Sequence, residues 1–357
     1  AYWYFNCMYL LPLPRAQRSE WHSTDDASRR RAAKYLYIML KKTISLQKYK
    51  SFLMPRLFSL LFAVLLASLL HAQSAPDTSR IHYTTWQQLV PSPALPKEMR
   101  HIQHSNNNID AVAFAGKYYV AFRTAPTHFA SRRTRLYVMS SSDLKTWQKE
   151  TELHVGYDMR EPRFLVKGSR LLFYFFEGGK RKFKFQPRHI WCLETIGNGN
   201  WTPKQNIELD GYVPWRFKMR GDTVYLSAYY GVNLYKNKHN ADLRLFRSLD
   251  GLTFEPISEQ PQVSTKGAEE GEFEFDTLGN LWATVRLEGS GAYVAYAHRD
   301  SLHLWHTTFD RRKFDSALMF RRGNDFYVIA RRHLRDDGYA AFTSGIPPST
   351  DENSIDR

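Results

Sequence analysis

The sequence predicts an all-β chain folded as a β-propeller of four-stranded blades, and three observations lead there. Aromatic residues make up 15% of the 357 residues, with 23 Phe, 21 Tyr and 9 Trp, and flat rings suit a pleated, half-buried surface. A strand-like run led by glycine recurs along the chain. An aromatic marker recurs in step with it.

The glycine-led runs open at Gly116, Gly168, Gly221, Gly279 and Gly323, with successive gaps of 52, 53, 58 and 44 residues. The aromatic markers Trp86, Trp147, Trp201, Phe254 and Trp305 follow with gaps of 61, 54, 53 and 51. Two markers sharing one period, without helical periodicity, describe a repeating unit of several strands, the length of one propeller blade. Five units are visible. The expected ring is of the six-bladed type, with Trp86 on an outer strand that closes it and the last blade truncated after Arg332.

Two aromatic markers close a sharper motif. Ser141 to Trp147 and Ser248 to Phe254 share the form S-x-D-x-x-T-aromatic, and His298 to Trp305 and Asn198 to Trp201 are weaker copies. Asp and Ser can hydrogen-bond within a tight turn, while the aromatic ring buries itself between strands. The motif is expected to staple the fold, away from any active centre.

The N-terminal region reads differently. Residues 1–53 hold ten Lys/Arg against three Asp/Glu and begin with Ala1, and are expected to be spurious upstream translation. From Met54 the chain has Arg56, an apolar run from Leu57 to Leu70, and Ala72. A short basic start, an apolar core and a small exit residue describe a secretory signal peptide over 54–72, with the propeller spanning 73–357. The run is short for a membrane span, so a secreted or periplasmic chain without a span after cleavage is expected. Beyond Ala72 the excess positive charge is +7 and dispersed, unlike a nucleic-acid footprint. Cys192 stands alone there, so no internal disulfide is expected and the core must supply the stability. A monomer needing no metal or organic cofactor is expected.

Four clusters carry candidate chemistry. Arg123 ends a strand in the run Phe122 to His128, where a planar cation suits a carboxylate. Tyr157 to Phe164 packs Asp158, Arg160, Glu161 and Arg163 before an apolar strand, and Glu269 to Phe275 packs four glutamates. Arg286 ends the next strand, with Glu288 behind it. Each has a structural alternative: Asp158 and Arg160 as a surface ion pair, and Glu272 to Phe275 as a strand with one wet face.

Together these elements resemble the sialidase superfamily, over roughly residues 80–335. Phe122-Arg123-x-x-Pro126 is similar to an F-R-I-P element with one added residue, and Asp158 to Pro162 to a D-L-R-D-P element. The S-x-D-x-x-T turns resemble its Asp-boxes. Trp215-Arg216 falls where that group has an aromatic-Arg pair, and Glu270 followed by Arg286 matches its glutamate and second arginine. The resemblance implies that Arg123, Arg286 and Arg331 (or Arg332) clamp a sugar carboxylate. It also implies that Glu270 is the base for a tyrosine nucleophile, an exception to the two-carboxylate glycosidases. The general acid has no aspartate in its usual place, which leaves Asp158 as a substitute with His128 nearby. Tyr339 is the one tyrosine after Arg332 and its context is unlike the family's, so the nucleophile is expected to lie outside this sequence.

The expected function is a sialidase-like exo-glycoside hydrolase that releases a terminal acidic sugar from glycans. Its site is Glu270 and Asp158 for catalysis, with Arg123, Arg286, Arg331, Arg160, Glu161, His128, Trp215 and Arg216 around the substrate. Two alternatives stand: a five-bladed furanosidase or arabinosidase working through Asp158, Glu161 and Glu270, and a propeller that binds glycans without turnover.

Overall fold

The computed structural model describes residues 9–12, 87–197, 199–231, 240–288 and 290–331. The proposed signal peptide, Trp86, Arg332 and Tyr339 lie outside them. Among the described residues all regular structure is β-strand, and no helix is long and apolar enough to cross a membrane.

Strand β1 (Tyr9–Pro12) belongs to the last sheet. The first blade is β2 (Ser105–Phe114), β3 (Lys117–Ala125), β4 (Arg135–Ser141) and β5 (Gln148–Leu153). The second is β6 (Met159–Lys167), β7 (Arg170–Glu177), β8 (Ile190–Gly197) and β10 (Gln205–Asn206), with β9 (Asn200–Trp201) also on β8. The third is β11 (Tyr212–Arg220), β12 (Thr223–Tyr230), β13 (Asn240–Ser248) and β14 (Glu255–Pro256), with β15 (Val263–Lys266) also on β13. The fourth is β16 (Ala268–Phe275), β17 (Leu281–Leu287), β18 (Ala292–Ala297) and β19 (His306–Asp310). A fifth sheet joins β20 (Asp315–Arg322), β21 (Asp325–Arg331) and β1. Every pairing is antiparallel within its sheet, and the first strands β2, β6, β11, β16 and β20 lie against one another in turn. This is a β-propeller of four complete blades and the strands of a fifth.

The repeat glycines mark one recurring turn, from the innermost strand of a blade to its second strand. Each of Gly116, Gly168, Gly221, Gly279 and Gly323 has a positive φ there, from 57° to 85°, a conformation that costs any other residue type. The glycine-led runs are therefore second strands, and the innermost strand precedes each glycine.

The core lies between blades. Tyr119, Leu136 and Val138 of the first blade meet Met159, Phe164, Leu171 and Phe173 of the second. Leu172, Tyr174 and Phe176 meet Trp215, Phe217 and Leu226 of the third, where Tyr174 stacks on Phe217 at 3.9 Å. Leu245 packs on Phe273 and Leu281, and Ala292 on Phe314 and on Met319 and Val328 of the fifth sheet. Phe173 and Phe175 have no exposed surface, and each such side chain contributes roughly 1.5–3 kcal/mol on burial. The other face of the first blade is covered by Leu89, Leu95, Met99 and Ile102, packed on Phe122, Tyr137 and Trp147.

The two S-x-D-x-x-T segments form matching turns between third and fourth strands. Asp143 Oδ1 accepts from the backbone N–H of Lys145 (2.8 Å) and Thr146 (2.7 Å) and from Ser141 Oγ at 2.9 Å. Asp250 Oδ1 does the same with Leu252 (2.7 Å), Thr253 (2.8 Å) and Ser248 Oγ (2.8 Å). Trp147 is buried beyond the first turn, and Phe254 packs on the core beyond the second. His298 to Trp305 connects β18 and β19, the equivalent place.

Candidate functional site

The innermost strands share a second device, at the end opposite the glycine turns. Each is interrupted by a bulge: between Asn107 and Asp110, Arg160 and Arg163, Pro214 and Arg216, Glu269 and Glu272, and Asp315 and Leu318. In four of the five, the second residue of the bulge is not glycine yet has a positive φ: Asn108 (48°), Glu161 (47°), Glu270 (49°) and Ser316 (50°). Such a conformation costs of order 1–3 kcal/mol and persists where the surroundings over-determine it, most often at functional sites. Bulges also re-aim side chains beside active sites.

The residue that opens the bulge faces a matching residue on the second strand. Those partners are Asn107 with Arg123, Glu269 with Arg286, and Asp315 with Arg331. Arg123, Arg286 and Arg331 thus hold one register position in the first blade, the fourth blade and the fifth sheet. Their surroundings differ.

Arg123 has no exposed surface. Its Nε and Nη2 donate to Asp158 Oδ1 at 3.0 and 2.7 Å, and its Nη1 to Asn107 Oδ1 at 3.2 Å. Asp158 is equally enclosed, accepting also from Thr134 Oγ1 (2.7 Å) and Arg160 Nε (2.5 Å). Arg160 donates its Nη2 to the carbonyl of His128 at 2.5 Å. The Asp158–Arg160 pair, open to reading as a surface contact, is internal. Burial lowers the Arg123 pKa to about 10, against the opposing charge of Asp158. His128 is exposed as a residue, and desolvation of its ring lowers its pKa, helped by the charges of Arg160, Arg123 and Arg331.

Arg286 sits among carboxylates. Its Nη1 reaches Glu270 Oε1 at 2.8 Å and Asp315 Oδ1 at 3.5 Å. Its Nη2 reaches Glu269 Oε2 at 2.9 Å and Glu288 Oε2 at 2.8 Å. Lys313 Nζ adds a second cation, 3.2 Å from Glu288 and 3.5 Å from Asp315. Glu270 Oε2 accepts from the Ser316 backbone N–H at 2.7 Å, which joins the two bulges. Burial raises the Glu270 pKa, with Asp315 adding to the rise while Arg286 and Arg331 oppose it. Burial pulls the Arg286 guanidinium down, but Glu270, Glu269, Asp315 and Glu288 hold it well above its ordinary value. Gly271 follows Glu270 for steric reasons: a Cβ there would come within 2.6 Å of Leu243 Cδ2.

Between these two centres runs an axial layer of ion pairs. Arg216 donates to Glu272 Oε2 at 2.6 Å and to Asp110 Oδ1 at 3.3 Å. Arg163 donates to Glu161 Oε2 at 2.6 Å and to the Trp215 carbonyl, its guanidinium 4.8 Å from the Trp215 ring centroid. Asn108 Nδ2 donates to Glu161 Oε1 at 2.5 Å. Glu272 has no exposed surface and meets Arg216, while Glu274 keeps part of its side chain exposed beside Lys218, so the Glu272 to Phe275 strand meets solvent at Glu274 alone.

Of the residues expected around a substrate, the structure gathers Glu270, Arg286 and Arg331 at the junction of the fourth blade and fifth sheet. Arg331 is exposed, and its charge acts on both Glu270 and His128. Arg123 and Asp158 are sealed together, and Arg216 and Trp215 lie in the axial layer. Sequence reasoning missed Asp315, Lys313, Asp110 and Asn108. The signal was their register, since Asn107-Asn108, Glu269-Glu270 and Asp315-Ser316 all precede a glycine turn by a similar interval. Among the described residues no group of His, Cys, Asp and Glu has metal-holding geometry.

No protein-family model matches the chain, and no curated protein matches it in sequence. Solved structures similar to it include a Dyadobacter fermentans protein of unknown function, at 16% identity and TM-score 0.49, over 64% of this chain and 76% of that one. A family 117 glycoside hydrolase produced by the marine bacterium Zobellia galactanivorans is similar at 15% identity and TM-score 0.45, over 62% of this chain and 74% of that one. A Trypanosoma rangeli sialidase, in complex with 2,3-difluorosialic acid, is similar at 14% identity and TM-score 0.49. That match covers 66% of this chain and 45% of the sialidase, so the chain spans less than half of that enzyme's length. Identities and TM-scores of this size assign no family and no activity to the chain.

Proposed function

We propose that this chain is an exported, exo-acting propeller glycoside hydrolase for a terminal acidic sugar, with Glu270 as the group that moves the proton. The observation that supports it is the setting of Glu270. It is a buried carboxyl with a raised pKa, held at positive φ by a bulge and oriented by Arg286 and the Ser316 N–H. A carboxyl whose pKa is raised by burial is suited to general acid–base catalysis. In the sialidase-like version, an attacking tyrosine bonds to the anomeric carbon and gives its proton to Glu270 as the glycosidic bond breaks, the leaving oxygen taking a proton from solvent. Water then displaces the tyrosine oxygen, which recovers the proton from Glu270 while the proton of the water passes to solvent. Arg331 is the accessible cation for the sugar carboxylate. Arg286 sets the charge of Glu270, and Arg123 with Asp158 braces the neighbouring blade.

A second reading is favoured by Asp315. Glu270 and Asp315 both reach Arg286 Nη1, at 2.8 and 3.5 Å, so their oxygens are close enough to compare with the separation of about 5–5.5 Å in retaining two-carboxylate glycosidases. Turnover of an aryl sialoside, set beside aryl furanosides and arabinosides, separates the two. Sialoside turnover lost in Glu270→Gln and kept in Asp315→Asn supports the first reading. Furanoside turnover lost in both supports the second. Saturable sugar binding with no turnover of any substrate would make the chain a glycan-binding propeller.

A further inference from the structure

On the same side of the second blade, the loop from β7 to β8 borders an open hollow of about 270 Å³ with a strongly one-sided charge. Its lining includes Tyr157 and five cations, Arg132, Lys180, Arg181, Lys184 and Arg188, and no carboxylate side chain. All five are exposed, whereas Arg163, Arg170, Arg216 and Lys218 meet carboxylates at Glu161, Glu194, Glu272 and Glu274. Among the described residues none of the five pocket cations has an ion-pair partner within 4 Å. Two of them are instead arranged about one ring, with Lys180 Nζ 4.1 Å and Arg188 Cζ 4.6 Å from the Tyr157 centroid.

The loop is built rather than loose. Its ends are tied by backbone bonds from Asp158 N–H to the Gly179 carbonyl (2.8 Å), from Gly178 N–H to the Asp158 carbonyl (2.7 Å) and from Arg188 N–H to the Glu177 carbonyl (2.8 Å). Gly179 allows the chain to double back, since a Cβ there would lie 1.9 Å from the Lys184 carbonyl oxygen. Phe183 packs edge-on against Phe129 at 4.7 Å. Five like charges held this closely repel one another, and an anion placed among them relieves that repulsion. The planar fork of arginine also matches the oxygens of sulfate and carboxylate groups, and lysine adds a point charge.

We infer that this pocket is an anion subsite that receives a sulfate or carboxylate substituent on an acidic glycan, apart from the Glu270 centre. The ring of Tyr157 positions Lys180 and Arg188, and the cations hold the charged group. The inference rests on the reading of this face as a glycan site, but its test does not depend on turnover.

Titration calorimetry of the full chain with a sulfated disaccharide, a uronic-acid disaccharide and a neutral disaccharide tests it. Binding of either acidic sugar, absent for the neutral one, should weaken about tenfold or more in Lys180→Gln/Arg188→Gln, since one charge-assisted hydrogen bond is worth about that much. Lys149→Gln, an exposed change on β5, should leave binding unchanged, and Arg132→Gln alone should weaken it less than the double variant. Glu270→Gln should keep the binding whether or not it abolishes turnover, so loss of the hydrolase reading and loss of this subsite are separable. Equal affinity in the double variant, or binding confined to anionic vesicles or nucleic acid, would overturn the inference.

Discussion

Arg123 and Arg286 occupy the same register position in two blades, opposite the residue that opens a bulge, and they do opposite things. Around Arg123 the balance is two cations, Arg123 and Arg160, to the one carboxylate of Asp158, and the arrangement is closed to solvent. Around Arg286 it is two cations, Arg286 and Lys313, to four carboxylates, Glu269, Glu270, Glu288 and Asp315. Glu288 keeps about a third of its side chain exposed, and Arg331 stands open beside the cluster. A repeated scaffold gives both centres the same frame, and the stoichiometry of charge separates them. One is a buried pair whose value lies in holding two blades. The other has surplus negative charge and a carboxyl with reason to keep a proton.

The largest effect should come from Glu270→Gln. Removing a positioned proton carrier lowers turnover by about 10²–10⁴-fold, whereas the neutral amide leaves the Arg286 cluster less crowded with charge. Activity should therefore collapse while the thermal midpoint holds or rises, as steady-state kinetics beside a melting curve will show. A fall in both together would place Glu270 with Arg123 as a brace, and the contrast between the two centres would be lost.

Much of the frame behind this contrast was legible in the sequence, and the charge balance was not. The glycine period located all five second strands because each turn needs a positive φ, which only glycine adopts without cost. Arg123, Arg286 and Arg331 were visible because they end those strands. Glu270 was visible through the resemblance of the Glu270 and Arg286 order to the sialidase pattern. The innermost strands carry no such periodic letter: their bulge residues are Asn108, Glu161, Glu270 and Ser316, alike in backbone and unlike in side chain. Asp315 went unseen because it reaches Arg286 across a blade boundary, and Lys313 because it reaches Glu288 across the same boundary, contacts that no local pattern encodes. The sealing of Arg123 was hidden for the same reason, since Asp158 and Thr134 come from separate segments.

The second effect in size should be Asp158→Ala. Removing one member of a buried pair leaves the other charge uncompensated, at a cost of about 3–5 kcal/mol. Denaturant unfolding should show that loss, and the activity remaining in the folded fraction should stay near that of the parent chain. A stable variant with abolished turnover would instead make Asp158 the proton donor of the reaction and give both centres a chemical role.

A pH series sharpens the contrast further. Burial raises the Glu270 pKa above its ordinary value of 4.5, so the folded state favours the protonated form. Its contribution to stability is fully present below pH 4.5 and is lost as pH rises through the folded value. Glu270→Gln removes that loss. The difference in melting temperature between Glu270→Gln and the parent should then be smallest in acid and grow in favour of the variant towards neutral pH. A difference that is flat in pH would mean that Glu270 is fully ionised throughout and compensated by Arg286.

The smallest effect belongs to the peripheral turns, which set a scale for a carboxylate that only staples. Burial opposes ionisation of Asp250, yet the N–H groups of Thr253 and Leu252 and the Ser248 hydroxyl hold its pKa down at about 2, from an ordinary 3.8. Its contribution is therefore present above pH 3.8 and lost as pH falls through about 2, the reverse of Glu270. The turn is exposed, so water replaces much of what is removed, and Asp250→Ala should cost at most about 1 kcal/mol at neutral pH. That deficit should shrink as acid protonates the parent, with turnover unaffected at every pH where both chains are folded. A turnover defect in Asp250→Ala that exceeds its stability loss would mean that the turns at the rim are coupled to the axis, and that bulge geometry at Glu270 depends on the outer strands of its neighbour blade.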